Sequence, residues 1–214
     1  MEIENCRLCA ASCDNSITLK DKSVYYHCSN CGYIFVSKSG LPEKEVEKAR
    51  YLTHENDADD ESYLNYIKKS TDLLFKYNSS PESLLDYGCG PAKAMLRLYS
   101  DKINLIHSYD PIFHPMEFNS ADQYEAIACI EAIEHFYHPY KELEKINSLL
   151  KPGGYLLFRT EFQSSLENLE NWWYRRDPTH VGFFNSKTWD FIAEKFAWKM
   201  LDQEDERYQL FQKY

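Results

Sequence analysis

Short apolar runs recur through residues 84–214, and helical patterns separate them. The spacing predicts strands at 84–87, 103–109, 124–130, 155–160, 198–203 and 208–213, and helices at 91–99, 140–150 and 186–196. Strands that alternate with helices are typical of a parallel sheet covered by helices. The pattern therefore predicts an α/β fold for this part of the chain.

Residues 41–83 are expected to form a helical connector in front of the sheet. A charged segment, 43–52, and a longer segment, 61–77, both have helical patterns, and a polar loop at 54–60 lies between them. Asp59 or Asp60 is the expected N-cap of the second helix. The apolar face of that helix would consist of Leu64, Ile67, Thr71, Leu74 and Phe75.

Two Cys-x-x-Cys pairs mark residues 1–40. Cys6 and Cys9 form the first pair, Cys28 and Cys31 form the second, and 18 residues separate the pairs. This spacing predicts a four-cysteine zinc ribbon, and a site with four thiolates is closed and therefore structural. Cys13 is an alternative ligand, and so is His27 beside Cys28. The ribbon is expected to stabilise the N-terminus, with recognition of a substrate or partner as the alternative.

The composition of the chain limits which partners and which cellular locations are expected. The 214 residues carry a formal net charge of −10, which disfavours nucleic acid but leaves room for a local basic patch. No apolar run has the length of a membrane span, and the acidic start MEIENCRLC does not resemble a secretory signal. Seven cysteines in such a chain predict a reducing, cytoplasmic location with metal-bound thiols. The sequence does not determine an oligomeric state.

The stretch LLDYGCGPA, residues 84–92, predicts a strand, a glycine turn and the start of a helix. Gly88 and Gly90 let the backbone approach a ligand closely. A dinucleotide-binding turn would carry a small residue where Lys93 stands, and no phosphate-binding Gly-Lys-Ser/Thr occurs. An NAD-dependent enzyme is therefore disfavoured, whereas a tight turn without a ligand remains an alternative.

LLDYGCGPA resembles motif I of the class I S-adenosylmethionine (SAM) dependent methyltransferases. The resemblance implies that the glycine turn passes under the methionine part of SAM. It also implies that Asp110, the acid after the second strand, holds the ribose hydroxyls, by analogy with dinucleotide folds. The expected cofactor-binding residues are Asp86, Gly88, Cys89, Gly90, Asp110, Pro111 and Glu131.

Further resemblances follow along the chain. LLKPGGYLLF, residues 149–158, marks the turn before the fifth strand of that superfamily. Residues 111–123 are too short for its usual third strand, which we expect to be missing or very short, and Asp122-Gln123 is the nearest candidate for the adenine contact. Helices before motif I often cover the SAM pocket, so His54, Asn56 and Tyr63 are candidate contacts.

CIEAIEHF, residues 129–136, resembles the Glu-x-x-Glu-His stretch of many small-molecule methyltransferases. Its position after the strand 124–130 puts it at the carboxyl edge of the sheet, where open α/β sheets bind ligands. The candidate catalytic residues are His135, His180 and Glu134. A histidine is suited to act as general base near neutral pH, but His135 could equally orient a loop or cap the next helix.

The stretch 171–180 combines aromatic, basic and acidic side chains after the fifth strand. The expected substrate-binding residues are Trp172, Trp173, Tyr174, Arg175 and Asp177, and Arg175 and Arg176 are suited to hold a carboxylate or phosphate. A lid packed on the body of the protein is the alternative. WWYRRDPTHVGFFNSKTW is similar to a segment of bacterial class I methyltransferases that carry an N-terminal Cys-x-x-Cys pair.

The sequence thus predicts a zinc ribbon at 1–40, a helical connector or lid at 41–83 and a Rossmann-like, SAM-binding methyltransferase domain at 84–214. The expected reaction is in-line methyl transfer to a small molecule, with proximity and water exclusion as the main contributions of the protein. Two alternatives remain. One is an RNA or protein methyltransferase that uses the ribbon for recognition, and the other is a SAM- and zinc-binding protein without turnover.

Overall fold

A computed structural model describes residues 3–52, 57, 59–203 and 205–214. The strands are β1 (Glu4–Asn5), β2 (Ser12–Cys13), β3 (Ser16–Thr18), β4 (Val24–His27), β5 (Ile34–Val36), β6 (Ser83–Tyr87), β7 (Leu105–Tyr109), β8 (Tyr124–Ile130), β9 (Leu150–Arg159), β10 (Gly182–Phe183), β11 (Trp198–Asp202) and β12 (Tyr208–Lys213). The α-helices are α1 (Lys44–Tyr51), α2 (Glu61–Tyr77), α3 (Ala94–Tyr99), α4 (Pro139–Leu149) and α5 (Ser186–Phe196). His54 and Asn56, two of the expected contacts, lie outside the described residues.

Six strands form the central sheet in the order β11-β12-β9-β8-β6-β7. β7, β6, β8 and β9 are parallel to one another, whereas β12 runs antiparallel to β9 and to β11. The central parallel strands β6 and β8 are almost completely buried because helices cover the sheet, which explains their continuous apolar runs, whereas the edge strand β7 is only partly buried. This architecture confirms the predicted Rossmann-like α/β fold.

Several predicted boundaries differ from the structure. α3 begins at Ala94 rather than at residue 91, because Lys93 adopts a left-handed backbone with φ of 49° and closes the glycine turn. β9 begins at Leu150 and includes the predicted turn 151–154, with an irregularity in its pairing with β8 opposite residues 124–126. Residues 111–123 contain no strand, only a bridge between Asp110 and His114, which confirms that the third strand is missing.

The connector packs on the sheet through α2. The Asp60 side chain accepts a hydrogen bond from the Ser62 amide at 2.8 Å, which confirms one of the two predicted N-caps. Ile67 and Leu74 are buried in a cluster that includes Leu84 of β6. No helix among the described residues has the length and apolar character needed to cross a membrane.

The N-terminal segment forms a β1–β2 hairpin and a four-stranded sheet of order β10-β5-β4-β3. Its fourth strand, β10, comes from the C-terminal half of the chain and pairs with β5. A Cβ atom at Gly182 would lie 1.7 Å from the Tyr33 hydroxyl, so only glycine allows this close packing. The sheet therefore joins the predicted segment 1–40 directly to the segment 84–214.

Candidate active site

The glycine turn after β6 is held against the end of β7. The amides of Gly88 and Cys89 both donate to the Tyr109 carbonyl, at 2.8 and 3.0 Å. Gly88 has φ of 88°, and a Cβ atom there would lie 2.4 Å from the Ala132 Cβ. Both the backbone conformation and the available space therefore require glycine at this position.

Asp110 connects this turn to the next one. Its Oδ1 accepts from the amides of Ile112 and Phe113, at 2.8 and 2.9 Å, and its Oδ2 accepts from the Gly90 amide at 3.2 Å. A carboxylate held by three backbone amides has a fixed orientation. Asp110 also lines the cavity described next, where its oxygens are placed to accept hydrogen bonds from a ligand.

A cavity of about 550 Å³ opens at the carboxyl ends of the parallel strands. Its lining includes the predicted cofactor residues Gly88, Cys89, Gly90, Asp110, Pro111 and Glu131, together with Tyr63. It also includes the predicted catalytic and substrate residues His135, His180, Trp173, Tyr174 and Asp177, together with Arg176. The fold thus brings together at one edge residues that lie far apart in sequence.

Four expected site residues do not line the cavity: Asp86, Glu134, Trp172 and Arg175. Arg175 binds Asp21 of the ribbon at 2.7 Å and the Leu169 carbonyl at 2.9 Å. Trp172 packs against Phe183, with 4.9 Å between ring centroids.

Asp86 lies buried at the carboxyl end of β6. Burial raises its pKa to about 7, an effect that the Met95 amide opposes by hydrogen bonding and that the nearby Asp110 increases. Burial therefore favours the protonated form of this carboxyl group to a much higher pH than in an exposed aspartate.

The predicted adenine contact is also displaced. The Asp122 carboxylate accepts from the Asn119 amide at 2.8 Å, and neither Asp122 nor Gln123 lines the cavity. Ile112 and Phe113 lie there instead, directly after Asp110. The loop that replaces the third strand therefore presents apolar side chains to the cavity.

His135 and His180 lie side by side, with 4.7 Å between ring centroids. His135 Nδ1 is 2.9 Å from the Thr179 carbonyl, and His180 Nδ1 is 2.7 Å from the Tyr174 carbonyl. A carbonyl oxygen can only accept, so each neutral ring carries its proton on Nδ1 and keeps the lone pair on Nε2. Together with Glu134, the two histidines offer three ligand-type atoms within 4.8 Å of one another.

A chain of hydrogen bonds runs behind the histidines. The Tyr174 hydroxyl lies 2.9 Å from Glu131 Oε2 and also contacts Glu134 Oε1. Glu131 in turn pairs with Arg159 and accepts from the Tyr66 hydroxyl at 2.9 Å. Burial raises the pKa of the fully buried Glu134 to about 7, although the Tyr174 hydrogen bond lowers it.

The site also contains residues that the sequence analysis did not identify. α1 contributes Glu47, Arg50 and Tyr51 to the cavity wall, and Arg50 pairs with Asp177 at 2.9 Å. Arg159, the last residue of β9, is nearly buried against Glu131. The charged pattern of α1 resembles that of any solvated helix, so its sequence carries no signal for this role.

The four cysteines of the two pairs converge at the N-terminus. Cys6 and Cys31 have their sulfur atoms 3.6 Å apart, those of Cys9 and Cys28 are 3.4 Å apart, and all four lie within 4.8 Å of one another. Tetrahedral zinc with Zn–S bonds of about 2.3 Å needs sulfurs roughly 3.8 Å apart. The donor set therefore fits zinc, whereas Cys13 points to the Ala11 carbonyl and is not part of the cluster.

Both cysteine pairs have the same backbone geometry. The amide four residues after the first cysteine donates back to its carbonyl, from Ala10 to Cys6 at 2.9 Å and from Gly32 to Cys28 at 2.8 Å. Ala10 and Gly32 both have positive φ. We refer to residues 6–10 and 28–32 as the first and second knuckle.

The strand order, the glycine turn and the acid at the end of the neighbouring strand together define a class I methyltransferase fold. In agreement, a family model described as a methyltransferase domain matches residues 60–203. The chain belongs to this methyltransferase-domain family.

The chain is similar to several known proteins. It is 27% identical over 120 residues to a ubiquinone biosynthesis O-methyltransferase of Shewanella pealeana and 28% identical over 120 residues to one of Yersinia pestis. These alignments cover 45% of the chain, and they span about half the length, 49% and 48%, of the two relatives.

Two solved structures share the fold. The 1,6-didemethyltoxoflavin-N1-methyltransferase of Burkholderia thailandensis, solved with bound 1,6-didemethyltoxoflavin and S-adenosylhomocysteine, aligns over 93% of the chain and 99% of its own, with a TM-score of 0.58 and 9% identity. The N-methyltransferase NodS of Bradyrhizobium japonicum, solved with S-adenosylhomocysteine, aligns over 78% and 97% of the two chains, with a TM-score of 0.53 and 15% identity. At these identities the likeness concerns the fold.

Proposed function

We propose that the protein transfers a methyl group from SAM to a small-molecule acceptor. One observation carries this proposal: a single cavity is lined both by the glycine turn with Asp110 and by His135 with His180. We call the first set the cofactor wall and the second the acceptor wall, and a cofactor on the first wall would lie next to an acceptor on the second. Family membership and the small-molecule substrates in the names of the similar proteins support the same function.

The residues of the first wall fit SAM. Backbone at Gly88 and Gly90 would lie against the methionine part, and the fixed Asp110 carboxylate would accept from the ribose hydroxyls. Ile112 and Phe113 would pack on the adenine ring in place of the missing third strand. SAM supplies an electrophilic methyl group on sulfur, and the cavity walls would hold an acceptor atom in line with it.

The histidines would accept the proton that the acceptor atom loses. As the acceptor oxygen or nitrogen forms its bond to the methyl group, Nε2 of His135 or His180 would take the proton that this atom loses. Backbone carbonyls fix the orientation of both rings through Nδ1, so neither needs to rearrange. Glu134 is fully buried behind them, and we assign it a positioning role instead of contact with the acceptor.

The rim of the cavity would bind the acceptor. Trp173 leaves 62% of its surface exposed, an unusual amount for tryptophan, and it lies beside Arg176, Asp177 and Tyr174 on the cavity wall. An exposed aromatic face and a guanidinium suit a planar or anionic small molecule. Arg175 does not take part, because the ribbon holds it.

We further propose that the four-cysteine cluster binds structural zinc. The thiols would have to be reduced, as they are in the cytoplasm. Arg7, Lys141 and Lys195 lie around the first knuckle and would balance the net negative charge of zinc with four thiolates. Metal analysis of the purified protein should find one zinc per chain.

The same basic residues favour a second candidate, an RNA or protein acceptor. A groove of about 420 Å³ beside the first knuckle is lined by Arg7, His138, Lys141 and Lys195, with Tyr140 and Phe191, and none of its described lining residues is acidic. Methylation of bulk RNA or of a protein lysate that is lost in the Lys141→Ala/Lys195→Ala variant would favour this candidate over a small molecule.

Calorimetric titration with S-adenosylhomocysteine tests the cofactor assignment. We expect micromolar binding to the zinc-loaded protein, no binding of NAD, and a loss of roughly tenfold or more in affinity in Asp110→Ala. Asp122→Ala is the matched control, because Asp122 lies outside the cavity and should leave the affinity unchanged. Absence of binding to the folded, zinc-loaded wild type would reject the proposed function.

A further inference from the structure

The first knuckle holds the loop that carries the acceptor-side histidine. Arg7, which follows Cys6, donates from Nη2 to the Val181 carbonyl at 2.6 Å and to the Val36 carbonyl at 3.3 Å. Its guanidinium lies over the Phe35 ring, 5.4 Å from the centroid. Arg7 therefore links the four-cysteine cluster to residue 181, next to His180.

Residues 179–181 in turn hold the Glu134-His135 segment. The Val181 amide donates to the Glu134 carbonyl at 2.8 Å, and the Thr179 carbonyl lies 2.9 Å from His135 Nδ1. Both histidines thus depend on this short loop, one because it belongs to the loop and the other because it is hydrogen-bonded to it. A shift of residue 181 would move both rings.

The second knuckle holds the other end of the loop. Asn185 donates to the Gly32 carbonyl at 2.6 Å, and Lys187 donates to the Ser29 carbonyl at 2.6 Å. Between the Arg7 contact at Val181 and the contact of Asn185 with the second knuckle, β10 pairs with β5. Contacts from the two knuckles therefore hold both ends of the segment 181–187.

The cofactor side is held differently. The hydrogen bonds described for Gly88, Cys89, Gly90 and Asp110 all come from residues 88–114, and none of them involves residues 3–40. Loss of order in the ribbon should therefore affect the two walls of the cavity unequally. The wall with His135 and His180 would change, and the wall with the glycine turn would persist.

We propose that Arg7 is a positioning residue for His135 and His180, and that zinc loading of the knuckles sets the geometry of the acceptor wall independently of the cofactor wall. This inference rests on the proposed function. If the protein is a methyltransferase as proposed, the ribbon is a part of the acceptor site. Removal of zinc would then block methyl transfer while the protein still binds the cofactor.

The test compares Arg7→Met, which keeps an apolar stem but loses every donor, with Arg7→Lys, which keeps a donor. Arg97→Met is the matched control, because Arg97 is an exposed arginine of α3. Three quantities are measured on each zinc-loaded protein: hydrogen exchange of the Val181 amide, the imidazole NMR signals of His135 and His180, and affinity for S-adenosylhomocysteine. Partial removal of zinc with a chelator forms a second series.

In Arg7→Met we expect roughly tenfold faster exchange at Val181, altered signals from both histidines, and unchanged affinity for S-adenosylhomocysteine. Arg7→Lys should recover part of the exchange protection, and Arg97→Met should match the wild type. Zinc removal should reproduce the Arg7→Met pattern with larger changes.

Unchanged exchange and unchanged histidine signals in both Arg7→Met and the zinc-depleted protein would overturn the inference. So would a parallel loss of S-adenosylhomocysteine affinity, since that would indicate general unfolding. If the wild type binds no S-adenosylhomocysteine, the proposed function fails, but the exchange and NMR measurements still decide whether Arg7 positions the histidines.

Discussion

The Tyr174 hydroxyl lies between two carboxylates, and Glu134 is the one of the two that is completely buried. A phenol has a single proton to donate, so it cannot satisfy both carboxylates in their ionised forms. Glu131 is already paired with Arg159, and burial raises the pKa of Glu134 to about 7. The two carboxylates therefore share one phenol proton, and where Tyr174 donates to Glu134 it stabilises the ionised carboxylate, so this hydrogen bond lowers the pKa that burial raises.

Replacement of Tyr174 by phenylalanine should interrupt this chain. Glu131 loses a donor and Glu134 loses its partner, so we expect a loss of about 1–3 kcal/mol in the free energy of unfolding at pH 7. The pKa of Glu134 should rise further, because the Tyr174 hydrogen bond lowers it. Denaturant titration measures the first effect, and carboxyl NMR titration measures the second.

Tyr155→Phe is the matched control for Tyr174→Phe. Tyr155 is also partly buried on the sheet, but no hydrogen bond of its hydroxyl is found among the described residues. Equal stability of the two variants would contradict the proposed hydrogen-bond chain.

The stability of the protein should fall as the pH rises from about 4 to about 7. Glu134 and Asp86 each have a folded-state pKa of about 7, above usual values of 4.5 and 3.8. A raised carboxyl pKa contributes stability that is fully present below the unfolded-state pKa and is lost as pH rises through the folded-state pKa. Each shift corresponds to a free energy on the order of 3–4 kcal/mol.

Glu134→Gln and Asp86→Asn keep the neutral form at every pH. Each substitution should flatten part of the pH dependence of the stability, so that the variant gains stability relative to the wild type between about pH 5 and pH 8. Thermal melts across this range provide the measurement, with Glu144→Gln, an exposed glutamate of α4, as control. A pH profile that is identical in all four proteins would disprove the assignment.

Gly88→Ala should remove cofactor binding. The new Cβ would lie 2.4 Å from the Ala132 Cβ, and the backbone φ of 88° disfavours alanine in any case. We expect a loss of roughly tenfold or more in affinity for S-adenosylhomocysteine by calorimetry, with some loss of stability.

Gly153→Ala separates the two causes of that loss. Gly153 has a similar φ of 77°, but a Cβ there meets no atom within 4 Å. The Gly153→Ala variant should show the loss of stability that backbone strain alone causes, and it should bind S-adenosylhomocysteine as the wild type does. Normal binding by Gly88→Ala would show that the turn does not approach the ligand.

Cys28→Ser and Cys13→Ser should differ in metal content. Cys28 is one of the four clustered thiols, whereas Cys13 lies outside the cluster. We expect Cys28→Ser to lose zinc on dialysis and to melt at a lower temperature, because metal binding contributes directly to folding. Cys13→Ser should retain one zinc per chain in elemental analysis, and loss of zinc there would return Cys13 to the ligand set.

The sequence by itself determined the sheet and its ligand-binding edge. The apolar runs that became β6, β8 and the second half of β9 are buried on both faces, so their pattern was continuous and unambiguous. Gly88 could be identified because a position with positive φ and close packing against a neighbouring residue requires glycine, and a glycine is visible in the sequence. The missing third strand was also predicted, since residues 111–123 are too few to form it and return.

Only the tertiary structure decided which polar side chains face the cavity. Arg175 and Arg176 are neighbours of the same type, yet one binds the ribbon and the other lines the cavity. The partners of Arg7 and Arg50 were equally hidden from the sequence, because they lie 174 and 127 residues further along the chain. Such pairings depend on how separate elements pack, and a local pattern of residues carries no record of contacts over that distance.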